Sequence, residues 1–139
     1  MLDGSEYLRW ISTARRTLES AYGDMDRGDY NWACFKAQQA AEFAVKALLY
    51  GIGSPAYGHS VAKLLMNVRS AGISIPDEVV EYAKTLDKYY VPTRYPNVWA
   101  EGMPHEYYTK LDATNAISYS GYVISWVEDL WRYLKRGEG

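Results

Sequence analysis

Cysteine is almost absent: Cys34 is the only one in 139 residues, which excludes an intramolecular disulfide and any cysteine-rich zinc site. Its place inside a long apolar segment reads as a buried, inert thiol. Histidine is nearly as scarce. His59 and His105 are the only two, and neither stands at a metal-ligand spacing from acids or cysteine. No metal and no cofactor are expected. No apolar run reaches the ~18 residues of a membrane span. The opening MLDGSEYLRW has neither the basic n-region nor the apolar h-region of a secretory signal. A formal net charge of −2 gives no general pull toward nucleic acid or an anionic membrane, while leaving room for a local basic patch. The glycine-containing stretch GIGSPAYGHS lacks the Lys-Ser/Thr of a Walker loop and follows a helical pattern, not a strand. Strand alternation and internal repeats are also missing. These absences point to a soluble cytoplasmic protein with no membrane contact.

What is present is helical. The stretch DYNWACFKAQQAAEFAVKALLY, residues 29–50, contains neither Gly nor Pro, and at about 1.5 Å per residue makes roughly 33 Å of helix. Alanines at 33, 37, 40, 41, 44 and 47 let neighbours approach, and Trp32, Phe35, Phe43, Val45, Leu48 and Leu49 supply bulk. An apolar circumference this wide predicts a central helix with partners on several sides. Asp29 is its expected N-cap and Gly51 its expected left-handed stop. Lys36, Gln39, Glu42 and Lys46 read as a narrow solvated strip.

Around this element the chain supplies four more helices. Tyr7, Ile11, Ala14, Leu18 and Ala21 repeat at helical spacing after a cap at Asp3 and Glu6, ending near Gly23. A short helix opens at His59 and Ser60, with His59 read as a cap and packing group. Pro76, Asp77 and Glu78 start another, which runs to about Val91 before Pro92. Thr109 and Asp112 form a capping box for a last helix that holds its apolar ladder to Leu134. The intervening PTRYPNVWAEGMPHEYY is a long loop, expected to be anchored at Arg94–Pro96 and looser from Asn97 to Pro104. The fold class is all-α: one domain, residues 1–139, an up-and-down antiparallel bundle of about five helices with a four-helix core. Fourteen Tyr and five Trp against two Phe suit interfaces as well as cores, and a two-fold dimer is expected.

AQQAAEFAVKALLYGIG, then GHSVAKLL, LDKYYVPTRYP and YYTKLDATNAI together resemble the HEPN family from about residue 5 to 135. The resemblance implies a helical bundle that dimerises, often encoded beside a minimal nucleotidyltransferase, with several members in toxin–antitoxin pairs. It implies either a nucleotide- or RNA-binding partner or a metal-independent RNase. RNase members carry an Arg and a His near the last helix, the Arg to hold phosphate and the His to move protons. Here the nearest match is Arg94 and His105, with ten residues between them, a longer spacer than the family motif has.

The expected catalytic pair is therefore Arg94 and His105. The expected ligand-binding set is Arg94, Tyr90, Tyr95 and Asp87. A planar five-donor fork beside aromatic rings suits nucleotide recognition; it equally suits a structural role, stacking on tyrosines or pairing with Asp87. Three functions stay open: a dimeric nucleotide- or RNA-binding partner of a nucleotidyltransferase, an RNase toxin using Arg94 and His105, and a structural dimer scaffold.

Overall fold

A computed structural model describes residues 1–138. Five α-helices and two 3-10 turns make up its regular structure, and no strand occurs among the described residues. Helix α1 is Gly4–Asp26, α2 is Tyr30–Gly51, α3 is Val61–Ser70, α4 is Asp77–Asp87 and α5 is Lys110–Glu138. Helix α2 packs against all four others, as its apolar circumference demands. The six alanines named above are fully buried; their small side chains bring neighbouring backbones close. Leu48, Leu49, Leu64, Leu65 and Leu86 fill the space between elements, each contributing about 1.5–3 kcal/mol by its burial.

Helix α1 buries Tyr7, Ile11, Ala14, Leu18 and Ala21. The Asp3 carboxylate accepts the Glu6 N–H at 3.1 Å. The helix continues past Gly23 and stops only where Gly28 takes a positive φ of 83°. The short link to α2 folds the two helices into an antiparallel hairpin. The capping box of α5 is reciprocal: Thr109 N–H donates to Asp112 Oδ2 at 2.9 Å, and Asp112 N–H to Thr109 Oγ1 at 3.1 Å.

Several local expectations need correction. Asp29 occupies the N-cap position of α2, but its side chain makes no capping bond; its carboxylate turns to Arg27 Nε at 3.5 Å. Gly51 is the last helical residue rather than the left-handed stop. The positive φ of 79° falls at Gly53, where Ser54 N–H closes the end on the Leu49 carbonyl at 2.9 Å. Gly51 is small for a different reason: a Cβ there would lie 2.5 Å from Trp131 Cζ3. Helix α4 ends at Asp87, short of Val91. Beyond it, Thr93 Oγ1 donates to the Tyr89 carbonyl at 2.7 Å and Arg94 Nε to the Tyr90 carbonyl at 2.9 Å, so side chains close the turn.

The long loop carries anchors in both halves. Asn31 Nδ2 donates to the Thr93 carbonyl at 3.0 Å. The Trp99 indole N–H donates to the Pro92 carbonyl at 2.8 Å, and its ring stacks on Tyr107 at 4.0 Å. Pro104 is buried. Gly102 and its polar neighbours predict a looser second half; most of residues 97–103 are exposed there, with half-buried Trp99 as an anchor.

Candidate functional site

Where α4 gives way to the loop, Arg94 lies across three aromatic rings. Its guanidinium carbon is 4.2 Å from the Phe35 ring centre, 4.8 Å from Tyr90 and 5.1 Å from Tyr95. Aromatic faces attract the cation, and the Nε bond to the Tyr90 carbonyl fixes its roll. Among the described residues, the terminal Nη atoms have no hydrogen-bond partner. A half-buried arginine with its fork held and its outer donors open has the geometry to pair with a planar anion.

The four residues of the expected ligand-binding set fall out unevenly. Arg94, Tyr90 and Tyr95 come together in this stack. Asp87 does not join it as an ion-pair partner. Its carboxylate accepts from Ser60 Oγ at 2.8 Å, Val61 N–H at 2.8 Å and Ala62 N–H at 3.1 Å. It therefore caps the start of α3, where the positive helix end favours a negative charge. It still borders the site, because His59, Ser60, Asp87 and Tyr90 line one small notch of about 120 Å³. His105 stands exposed on the 3-10 turn Pro104–Glu106. Among the described residues it shares no hydrogen bond, ion pair or ring contact with Arg94.

Behind Tyr90 lies a polar network where the sequence predicts a solvated strip. Glu42 is 2% exposed and Lys46 9% exposed; Lys36, by contrast, reaches Asp24 at 2.8 Å on the flank. Lys46 Nζ meets Glu42 Oε2 at 3.1 Å, and Gln39 Nε2 donates to Glu42 Oε1 at 3.0 Å. Buried Gln38 donates to the His59 carbonyl at 2.7 Å. His59 turns its Nδ1 toward Glu42 Oε1 at 3.5 Å, and its ring stacks on Tyr90 at 4.9 Å with a 16° tilt. So His59 is neither the cap of α3, which is Ser60, nor a plain packing group. Sequence reasoning missed Phe35, Glu42 and His59 as site residues. The available signal was a Glu–Lys pair at i,i+4 on a helix with almost no polar face.

An open groove of about 610 Å³ runs along α1 and α2, and Phe35, Gln39, Arg16 and Lys36 are among its walls. Phe35 thus belongs to both the groove and the Arg94 stack. Among the described residues no group of three or more His, Cys, Asp or Glu side chains is placed to hold a metal. No described helix is long and apolar enough to cross a membrane.

Comparison with known proteins places this geometry in a family. The HEPN domain model matches residues 7–130. No curated protein matches the chain. Among solved structures, the Thermus thermophilus protein TT1696 is 42% identical with a TM-score of 0.86, over 88% of this chain and 96% of that one. The archaeal HEPN homologue ST0689 is 40% identical with a TM-score of 0.76, over 89% of this chain and 96% of its own. An HEPN domain protein from Thermotoga maritima is 35% identical with a TM-score of 0.73, over 89% and 98%. With the family model spanning α1 to α5 and three such neighbours, the chain belongs to the HEPN family.

Proposed function

We propose that this HEPN protein is a dimeric nucleotide- or RNA-binding module that holds phosphate through Arg94 and partners a minimal nucleotidyltransferase in a toxin–antitoxin-like pair. The observation that carries the binding part is the guanidinium stacked on Phe35, Tyr90 and Tyr95 with its Nη donors open. Base stacking on aromatic faces and phosphate contact by arginine are the sequence-tolerant means by which proteins hold single strands. Exposed Trp32, Tyr22 and Tyr133 support the interface part, since aromatic side chains are enriched where protein surfaces meet. The nucleotidyltransferase and toxin–antitoxin parts follow from family resemblance alone. RNA cleavage by Arg94 and His105 has less support, because no contact joins those two residues.

The experiment is a binding titration of nucleotides and a short RNA strand against wild type and Arg94→Ala, with light scattering on the same samples. A mass near twice 15.8 kDa and binding lost in Arg94→Ala are the expected results. A monomer, or binding indifferent to Arg94, refutes the reading. RNA cleavage in EDTA that disappears in both Arg94→Ala and His105→Ala would favour the RNase alternative instead.

A further inference from the structure

Resting on the reading of Arg94 as a phosphate contact, we propose that His59, oriented by the buried Glu42, accepts a hydrogen bond from a ribose hydroxyl and makes this site prefer ribonucleotides over deoxyribonucleotides. Stability does not explain why Glu42 and Lys46 are buried. Packed apolar residues of similar volume are often as stable as a buried ion pair, or more so. The pair does, however, leave Glu42 Oε1 facing Nδ1 of His59 at 3.5 Å. A carboxylate repels the lone pair of a ring nitrogen and attracts its N–H. Nδ1 therefore carries the proton in the neutral ring, and Nε2 is left as an acceptor. Tyr90 fixes the ring's rotation by stacking on it at 4.9 Å.

The same Tyr90 ring supports the Arg94 guanidinium at 4.8 Å. Phosphate donor and sugar acceptor thus stand beside one aromatic group. The charge pattern separates their roles. The notch beside His59 is bordered by Asp87, whose carboxylate disfavours a second phosphate there and tolerates a neutral hydroxyl. The ribose 2′-hydroxyl is the donor that distinguishes RNA from DNA.

The test uses a labelled single-stranded oligouridylate and the oligodeoxyuridylate of equal length, followed by fluorescence anisotropy. Wild type should bind the ribo strand about 3- to 10-fold more tightly, the effect of one net hydrogen bond. The His59 side chain is 60% exposed, so His59→Ala should fold normally. It should erase that ratio by weakening the ribo strand alone. His59→Gln should keep part of the ratio, because its amide reaches the position of Nε2. Arg94→Ala should weaken both strands. A ribo preference that survives His59→Ala, an equal loss for both strands in that variant, or equal wild-type affinities would overturn the His59 inference while leaving Arg94 standing. Binding that is absent, or that ignores Arg94→Ala, would overturn the underlying reading and this inference together.

Discussion

Gly51→Ala is a substitution for which local propensity and packing predict opposite signs. The position is the last of its helix, so alanine should gain at most about 1 kcal/mol from propensity alone. Its Cβ, however, would sit 2.5 Å from Cζ3 and 2.8 Å from Cη2 of Trp131, and 3.2 Å from Tyr7 Cβ. The indole has little freedom to yield. It is 5% exposed and lies flat on Tyr7 at 4.1 Å with a 5° tilt. Overpacking of this kind costs about 1–3 kcal/mol, and the rigid stack puts Gly51 toward the upper end. The net expectation is a loss of about 1–2 kcal/mol, or roughly 3–8 °C in Tm. Urea denaturation at fixed protein concentration measures it. Trp131→Ala alone should cost about 3–5 kcal/mol; in that background Gly51→Ala should turn neutral or stabilising. A stabilised Gly51→Ala in the wild-type background, or the same sign in both backgrounds, refutes the packing argument.

Lys46→Met strands the buried Glu42 carboxylate and should cost about 3–5 kcal/mol, whereas Glu42→Met with Lys46→Met should recover most of it; a single-mutant loss below about 1 kcal/mol in urea melts would mean the pair is solvated. Burial pushes the Cys34 thiol up to about 12, so an alkylating reagent should modify it only at the rate of unfolding, and rapid labelling of native protein would contradict its placement. Burial likewise raises the phenols of Tyr7, Tyr89 and Tyr108 to about 12. Because the folded values exceed the ordinary 10.0, their contribution to stability is complete below that pH and is lost as pH climbs toward about 12. Thermal melts across this window should show falling Tm, and Tyr7→Phe should reduce the slope.

The architecture was legible because it rests on periodicity. Tyr7, Ile11, Ala14, Leu18 and Ala21 are spaced for one helix face and are buried together, and the Thr109–Asp112 box names its own helix start. What was illegible depends on contacts between distant residues. Gly51 resembled a stop signal until Trp131, from the far end of the chain, accounted for its size. Glu42 and Lys46 looked solvated because charge suggests exposure, but their helix is surrounded by all four others. Asp87 could have met Arg94 by sequence distance alone; the start of α3 claims it instead. Of the site, the YYVPTRY segment announced Arg94 and its tyrosines, while Phe35, Glu42 and His59 reach it from α2 and the segment before α3 with no local pattern to mark them.

The proposed strand-binding site is the Arg94 stack. Titrating nitrogen-labelled protein with oligouridylate, while observing the side-chain N–H of arginine and the histidine rings by NMR, tests it at the residues named. Arg94 Nε–H and the His59 ring should shift first and saturate together, with His105 unmoved. Shifts confined to His105, or to the groove walls at Arg16 and Lys36 with Arg94 silent, would contradict it.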